Sequence, residues 1–300
     1  METIIRVLRR AFPALELLEN EPLSRHCSFR IGGPCAAMAL PRTVDEAGGL
    51  LRALQDMGVQ PLLLGNGTNL LVTDAPLNCI VIKTEAMSGV ARNGETGIDA
   101  LAGVSLARLA AAAAGFGLSG LEFAHGIPGT LGGAVVMNAG AYGGEMKDVI
   151  SHTMYMDTAG ELRGLCGQEH AFAYRHSVFS DSENVVLGCR LELTPGDERE
   201  IRARMADLAS RRRASQPLDK PSAGSTFKRP ETGYAAAMID EAGLKGFRVG
   251  GAAVSEKHAG FVVNLGGASF DDVLAVMEHV QEEVYKRFGV RLEPEVRIVR

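Results

Sequence analysis

The feature that most constrains this chain is an uncharged, glycine-rich segment from Gly126 to Gly144. It holds seven glycines in 19 residues, together with Pro128 and Asn138. The segment is long enough to suggest a membrane span, but this density of glycine and proline makes a poor spanning helix. Because glycine lets the backbone approach another group closely, the pattern predicts two loops around a short helix, with backbone lying against a ligand.

A second glycine motif follows a short apolar strand predicted at residues 61–64. It runs Gly65-Asn66-Gly67-Thr68-Asn69-Leu70 and could turn successive amides toward an anion, although it matches neither a P-loop nor the Rossmann fingerprint. On this motif alone, a hairpin turn is the slightly favoured interpretation. Since the amides at the start of a helix bind pyrophosphate well, the two motifs together favour a dinucleotide that lies between two lobes.

Charge and composition disfavour several classes of partner. The formal net charge of −5 argues against a protein that binds the phosphate backbone of nucleic acid, and the absence of Trp argues against a stacking groove for single strands. Residues 201–260 hold 11 Lys or Arg and 6 Asp or Glu, a net of +5, so the other residues carry −10. A positive region in an acidic protein suits a small anionic ligand better than a polymer, although a solvated helix face explains Arg202 and Arg204 more simply.

Cysteine use and the N-terminus indicate the compartment. The five cysteines form no C-x-x-C pair, which favours a reduced cytosolic chain over a disulfide scaffold. Residues 1–18 predict an amphipathic helix rather than a secretory signal. The spacing of Cys166, His170 and His176 fits no structural zinc pattern, so we expect no metal site. We therefore expect a cytoplasmic protein without a membrane or nucleic-acid partner. The sequence leaves the oligomeric state open, and we expect a monomer.

Hydrophobic periodicity and turn residues predict helices and strands that occur in groups. The helices are predicted at residues 44–57, 110–114, 198–215 and 271–288, the last with a capping box of Ser269 and Asp272 and a terminating Gly289. Strands are predicted at residues 61–64, 79–83, 185–193 and 290–300, with a hairpin at 154–165 whose tip is 157–160. This order favours an α+β fold over strict β-α-β alternation.

Three polar motifs could carry chemistry, but each has a simpler interpretation. They are Y-R-H-S at 174–177, G-S-T-F-K-R-P at 224–230 and L-E-P-E-V-R at 292–297. An Arg in a polar loop usually lies at the surface, a Ser after Gly usually caps a turn, and carboxylates on a terminal strand usually face solvent. Spacing alone therefore assigns none of them to catalysis.

Taken in order along the chain, these motifs resemble one family. The order begins with R-I-G-G at 30–33 and the two glycine motifs, and it continues with the three polar motifs. Over roughly residues 24–300 the chain is similar to the UDP-N-acetylenolpyruvoylglucosamine reductase (UDP-N-acetylmuramate dehydrogenase) family. The later motifs are specific to that family, whereas wider FAD-binding relatives share the glycine loops. The short distance between Arg175 and Ser225 resembles the type II branch.

The resemblance implies an α+β fold with two parts. A two-lobed FAD-binding domain of the vanillyl-alcohol-oxidase (PCMH) type would cover residues 1–200 with a returning strand at 289–300, and a substrate-binding domain would cover 201–288. It also implies a flavoenzyme of peptidoglycan precursor synthesis, with FAD and NADPH as cofactors and a UDP-sugar as substrate. Hydride from flavin N5 would reduce UDP-N-acetylglucosamine enolpyruvate to UDP-N-acetylmuramate.

The resemblance also implies the roles of individual residues. Ser225 would protonate the enol intermediate, while Arg175 and Glu295 would stabilise it, Glu295 best in a protonated state that avoids repulsion. Lys228 could polarise Ser225, and Arg211 to Arg213 could cover the diphosphate. The implied substrate-binding residues are Tyr174, Lys228, Arg229, which departs from the family's usual Asn, and His258. The implied cofactor-binding residues are Arg30, Gly65, Asn66, Gly67, Thr68, Asn69, Leu70, Gly126, Ile127, Pro128, Gly129, Thr130, Gly133, Ala134, Asn138 and Gly140.

Two other functions remain open at this point. An FAD-dependent oxidase of the same fold would explain the glycine loops but not the combination of Ser225, Arg175 and Glu295. A non-catalytic flavin or nucleotide-sugar binding protein would explain the positive region but would leave those three positions without a role.

Overall fold

The computed structural model describes all 300 residues of the chain, Met1 to Arg300, and its helices and strands occur in groups. The helices are α1 Glu2–Ala11, α2 Val44–Asp56, α3 Leu106–Gly115, α4 Leu131–Val136, α5 Glu198–Ser215, α6 Ala235–Glu241 and α7 Phe270–Phe288. The strands are β1 Glu16–Pro22, β2 Pro34–Leu40, β3 Leu62–Leu64, β4 Leu70–Val72, β5 Leu77–Lys83, β6 Val90–Asn93, β7 Gly97–Leu101, β8 Leu118–Ser119, β9 Gly140–Ala141, β10 Gly144–Glu145, β11 Ile150–Met156, β12 Leu162–Cys166, β13 Val185–Glu192, β14 Thr194–Pro195, β15 Arg248–Val249, β16 Ala252–Val254, β17 Val262–Asn264 and β18 Arg297–Val299. None of the helices is both long and apolar enough to cross a bilayer.

The strands form three larger sheets and three short pairs. The larger sheets have the strand orders β1-β2-β5-β3, β12-β11-β13-β7-β6 and β15-β16-β17. The five-stranded sheet is antiparallel throughout, while β3 pairs with β5 and β18 pairs with β4 in parallel. Antiparallel strands grouped apart from the helices are typical of α+β proteins, so the predicted fold class is confirmed.

The chain divides into two compact units, each built from separate segments. The first unit contains residues 1–19, 37–66 and 79–211, and the second contains residues 20–36, 67–78 and 212–300. The core of the first unit lies around the five-stranded sheet with α3 and α4, and that of the second lies around α7 with β16 and β17. The predicted domains, residues 1–200 with 289–300 and residues 201–288, separate cofactor binding from substrate binding. These limits stay a prediction.

Local capping signals place the long helix α7 as predicted. The Ser269 hydroxyl accepts a hydrogen bond from the Asp272 amide at 3.1 Å, and the Asp272 carboxylate accepts one from the Ser269 amide at 3.0 Å. The helix ends at Gly289, whose φ of 69° lies in the left-handed region. A capping box and a left-handed glycine thus fix both ends of the helix from short-range sequence alone.

Two predicted elements are shorter than expected, and proline accounts for both. The N-terminal helix ends at Ala11 instead of continuing to residue 18, because Pro13 cannot continue a helix and the chain then enters β1. The C-terminal strand covers only Arg297–Val299 rather than residues 290–300. Pro294 has no amide hydrogen for a strand ladder and instead forms an isolated bridge with Phe227.

A buried polar chain links three residues in the core of the first unit. The His170 side chain is fully buried, and its Nδ1 lies 3.0 Å from the carbonyl oxygen of Gly167. A carbonyl only accepts, so Nδ1 carries the hydrogen and Nε2 accepts from the Thr153 hydroxyl at 2.8 Å. The Cys189 thiol, 3.6 Å from that hydroxyl, then donates to it. Both ring nitrogens of His170 are therefore engaged within the protein.

Burial keeps the His170 ring and the Cys189 thiol, the two ends of this hydrogen-bonded series, neutral. It lowers the pKa of His170 and raises the pKa of the Cys189 thiol to about 12. In the unfolded chain a histidine has a pKa of about 6.5. As the pH falls below that value, the unfolded chain binds the proton first, so the free energy of unfolding decreases from about pH 6.5 toward the folded pKa. Above about pH 6.5 the contribution of His170 does not change.

We expect His170→Gln to flatten the fall in the free energy of unfolding between pH 7 and pH 5. One buried histidine contributes at most about 1.4 kcal/mol per pH unit to that slope, and Gln does not titrate. Urea unfolding at several pH values measures it. An unchanged slope in His170→Gln would contradict the assignment.

Candidate active site

The two glycine motifs meet within the first unit. A Cβ at Gly65 would overlap the hydroxyl of Thr130, so only glycine lets the backbone after β3 pack against the start of α4. The amide of Leu131 donates to the Val104 carbonyl at 2.9 Å, and the amide of Gly132 donates to the Ala102 carbonyl at 2.8 Å. These bonds fix the first turn of α4, and the structure thus brings Gly65 and the segment 126–130 together.

The first turn of α4 is open on the side of Gly133. Gly133 is exposed, and a Cβ there would have only the Thr130 hydroxyl near it, at 3.6 Å. Ala134, the next residue, is buried in the core of the unit. The exposed backbone beside Gly133 therefore leaves room for a flat or anionic group to approach a helix start.

His125, one residue before this loop, is a candidate site residue that sequence patterns did not indicate. Its Nδ1 atom is buried and has no hydrogen-bond partner within the protein. A buried polar atom without a partner costs about 1–3 kcal/mol, so a ligand group that reached it would be favoured. Together with the open backbone at Gly133, this atom shows that the residues of the loop fit a polar cofactor such as a dinucleotide.

The second half of the G-N-G-T-N-L motif belongs to the second unit. Gly67 has a φ of +59°, and a Cβ there would overlap the His26 carbonyl oxygen, so a side chain at this position would disturb the protein itself. The Asn69 side chain donates to the Glu295 carbonyl at 3.0 Å. Arg30, with a φ of +57°, lines a cavity of about 390 Å³ together with Lys220 and Asn264.

The Ser225 segment is held between two other segments of the second unit. On one side, the Glu295 amide donates to the Thr226 carbonyl and the Lys228 amide donates to the Glu293 carbonyl, both at 2.8 Å. On the other side, the Thr226 amide donates to the Gly260 carbonyl at 2.8 Å, and its hydroxyl accepts from the Val262 amide at 2.9 Å. Thr226 is buried while Ser225 is exposed. Ser225 therefore faces outward from a segment whose neighbours carry Glu295 and His258.

His258 is a neutral hydrogen-bond donor in this arrangement. Its Nδ1 accepts from the Gly260 amide at 3.2 Å, so the hydrogen lies on Nε2. Burial is the main cause that lowers the pKa of His258, and the nearby charge of Lys245 lowers it further. At neutral pH the ring therefore offers an N–H rather than a positive charge.

The two cations after Ser225 contact neighbouring groups of the second unit. Lys228 Nζ lies 3.5 Å from a carboxylate oxygen of Glu293. Arg229 donates to the Gly233 carbonyl at 3.4 Å, and its guanidinium carbon lies 4.2 Å from the centre of the Tyr234 ring. Arg229 therefore forms a cation–π pair with Tyr234.

In the first unit, Arg175 lies at the tip of a tight turn. Its φ is +54°, its guanidinium carbon lies 5.1 Å from the centre of the Tyr174 ring, and Nη2 donates to the Gly140 carbonyl at 3.4 Å. Asn138 is 1% exposed, and its side-chain amide donates to Glu145 at 2.9 Å and to the Ala173 carbonyl at 3.0 Å. The amide hydrogens of Asn138 are thus used within the protein.

The predicted site residues divide between the two units. The first unit contains Gly65, Asn66, Gly126, Ile127, Pro128, Gly129, Thr130, Gly133, Ala134, Asn138, Gly140, Tyr174 and Arg175. The second unit contains Arg30, Gly67, Thr68, Asn69, Leu70, Ser225, Lys228, Arg229, His258 and Glu295. Their roles in binding and catalysis stay predictions.

Two family models match separate parts of the chain. Residues 35–165 match an FAD binding domain, and residues 216–299 match the C-terminal domain of UDP-N-acetylenolpyruvoylglucosamine reductase. The chain is 46% identical over 298 residues to the UDP-N-acetylenolpyruvoylglucosamine reductase of Caldanaerobacter subterraneus subsp. tengcongensis, covering 99% of this chain and 98% of the relative. It is 45% identical over 310 residues to the enzyme of the same name from Agathobacter rectalis, with the same coverage.

Solved structures agree with the sequence relatives. The crystal structure of UDP-N-acetylenolpyruvylglucosamine reductase from Thermus caldophilus is similar with a TM-score of 0.80 and 35% identity, over 95% of this chain and 99% of that one. An alkyldihydroxyacetonephosphate synthase shares the fold alone, with a TM-score of 0.50 and 16% identity over 65% of this chain and 40% of that one. The predicted combination of an FAD-binding domain with a C-terminal α+β domain is confirmed, and the chain belongs to the UDP-N-acetylenolpyruvoylglucosamine reductase family.

Proposed function

We propose that this protein uses FAD and NADPH to reduce UDP-N-acetylglucosamine enolpyruvate to UDP-N-acetylmuramate, a step in peptidoglycan precursor synthesis. Family membership over nearly the whole chain supports the reaction. The observation that carries the site assignment is the pairing of the Ser225 segment with the Glu295 segment in the second unit. An oxidase of the same fold would have no need for this pair.

The residues of the first glycine-rich loop would hold the cofactor. The open backbone at Gly133 and the buried Nδ1 of His125 fit a diphosphate and a polar group, respectively. The bound flavin would supply to the substrate the hydride that it received from NADPH. The side chains of the protein must orient the enolpyruvyl group, bind its carboxylate and deliver one proton.

Arg175 is suited to the carboxylate of the enolpyruvyl group. When hydride adds to the terminal carbon, negative charge develops on the carbon that bears the carboxylate, and a fixed cation stabilises that charge. A guanidinium stays charged at any working pH and can donate two parallel hydrogen bonds to a carboxylate. The Tyr174 ring and the Gly140 carbonyl already restrict the Arg175 side chain before substrate binds.

Ser225 is suited to deliver the proton that completes the reaction. Ser225 is exposed and follows Gly224, whose φ lies in the left-handed region. The next residue, Thr226, forms hydrogen bonds through its amide, its carbonyl and its hydroxyl. A serine hydroxyl is a very weak acid, so it donates a proton only to a strongly basic carbon such as the one that hydride addition creates. Glu295, on the neighbouring segment, would act as a neutral hydrogen-bond donor to the same intermediate, because an ionised carboxylate would repel it.

Anaerobic titration tests the proposed reaction against its alternatives. The purified protein is expected to be yellow, to bleach with NADPH and to regain its colour when the enolpyruvyl UDP-sugar is added without oxygen. Absorbance at the flavin bands measures each step. Colour that returned only on admission of air would indicate an oxidase, and a failure to bleach would indicate a binding protein.

We expect Ser225→Ala to slow reoxidation of the flavin by the UDP-sugar by about 10²–10⁴-fold, the usual contribution of a positioned proton donor. Reduction by NADPH should stay close to the wild-type rate, because that half-reaction needs no proton from Ser225. Stopped-flow absorbance separates the two half-reactions. Ser222→Ala, in the same segment, serves as the control and should leave both rates unchanged. Equal slowing of both half-reactions in Ser225→Ala would remove the proton-donor role.

We expect Gly133→Ala to weaken FAD binding by about tenfold or more, which corresponds to about 1.4 kcal/mol. The new Cβ meets only the Thr130 hydroxyl at 3.6 Å in the protein, so any loss of affinity reports on the cofactor. Gly115→Ala in α3, where the nearest atom is 3.9 Å away, is the matched control. Both changes should stabilise the FAD-free protein by roughly 0.5–1 kcal/mol. Titration of FAD into cofactor-depleted protein measures the affinities, and equal affinities would contradict the loop assignment.

A further inference from the structure

A polar cluster that the proposed mechanism does not use surrounds the turn that carries Arg175. Its centre is Asn138, which is 1% exposed and lies at a φ of +40°. The Asn138 amide donates to Glu145 Oε2 at 2.9 Å and to the Ala173 carbonyl at 3.0 Å, while its oxygen accepts from the Lys147 amide at 3.0 Å. One buried side chain therefore joins the end of the glycine-rich segment to the turn two residues before Arg175.

Glu145 is the charged member of this cluster. Its carboxylate lies 2.8 Å from Lys147 Nζ and also accepts from the backbone amide of Asp148. The hydrogen bond from Lys147 is the main cause that lowers the pKa of Glu145, and the hydrogen bond from Asn138 and the charge of Arg175 lower it further against partial burial. Glu145 is therefore an anion at neutral pH. It pairs with Gly140 between β9 and β10, and the Gly140 carbonyl accepts from Arg175 Nη2 at 3.4 Å, so the carboxylate belongs to the residue paired with the group that contacts the guanidinium.

The turn itself needs such support. Ala173 and His176 exchange backbone hydrogen bonds of 3.0 and 3.2 Å, and Arg175 sits between them with a φ of +54°. A residue with a side chain is disfavoured in this left-handed conformation, because its Cβ crowds the following carbonyl oxygen. The Ala173 carbonyl accepts from both the His176 amide and the Asn138 side chain, so Asn138 stabilises the first residue of the strained turn.

We propose that Asn138 and Glu145 are positioning residues for Arg175. Asn138 fixes the backbone of the turn, and Glu145 orients the guanidinium by its charge while Lys147 offsets part of that charge. When a long side chain is held in one orientation before substrate binds, the reaction no longer has to order it. This inference rests on the proposed function, in which Arg175 binds the carboxylate of the enolpyruvyl group.

The two residues are tested through the half-reaction that needs Arg175. In the holoenzyme, Glu145→Gln keeps the size of the side chain and removes its charge, and Asn138→Asp removes both amide donors. We expect each to slow reoxidation by the enolpyruvyl UDP-sugar by roughly tenfold. In Glu145→Gln, reduction by NADPH and the FAD content should stay within twofold of wild type. The Glu145 side chain is 30% exposed, so its variant should fold even if Asn138→Asp does not.

Glu169→Gln is the matched control, because Glu169 also accepts a backbone hydrogen bond, at 2.8 Å, at the start of a 3₁₀ helix in the same unit. It should leave both half-reactions unchanged. The decisive measurement is Glu145→Gln in an Arg175→Ala background, where we expect no further slowing, because the residue acts only through Arg175.

Three outcomes would overturn the proposal. The first is additive slowing in the Glu145→Gln, Arg175→Ala double variant, and the second is equal slowing of both half-reactions or loss of FAD in Glu145→Gln. The third is an Arg175→Ala enzyme that reoxidises at the wild-type rate, which would also remove Arg175 from the proposed function. Because Arg175→Ala is measured alone, the third failure is distinguishable from the first two.

Discussion

The arrangement of the second unit depends on the hydrogen bonds of one buried residue, Thr226. Its amide, carbonyl and hydroxyl bond to Gly260, Glu295 and Val262, which lie 34 to 69 residues further along the chain. Because each of these polar groups would be costly to bury without a partner, Thr226 holds the three segments together as one. Thr226 therefore contributes to the positions of Ser225, Glu295 and His258, together with the bonds of Lys228 to Glu293 and of Asn69 to Glu295.

The first unit uses the same physical principle at Asn138. Both are buried polar residues whose hydrogen bonds lie within the protein, and each stands close to a more exposed residue with a proposed chemical role. In one case the neighbour is Ser225, and in the other it is Arg175 at the tip of a strained turn. In both cases the hydrogen bonds of the buried residue order the segment during folding. The neighbouring functional residue, although flexible or strained, therefore keeps a fixed position before substrate binds.

Sequence patterns predicted the elements whose signals are local. Helix α5 has the predicted limits, and α7 has the predicted capping box and glycine end, because these signals act within four residues. The predicted C-terminal strand was wrong at residues 290–296 and at residue 300. Pro294 pairs instead with Phe227, which is far away in sequence. No sequence pattern indicated the buried Nδ1 of His125 or the hydrogen bonds of His170 either, because both depend on residues brought together by folding.

The sequence by itself determined the α+β class, the family and hence the cofactor, because the motifs are contiguous and specific. Only the tertiary structure decided which motif residues use their groups in contacts within the protein. The Asn138 amide bonds to Glu145 and Ala173, and Gly67 packs closely against the His26 carbonyl. The physical reason is the distance along the sequence over which each kind of interaction acts. Periodicity and capping report neighbours within one turn, whereas hydrogen bonds and close backbone contacts between distant segments exist only once the chain has folded.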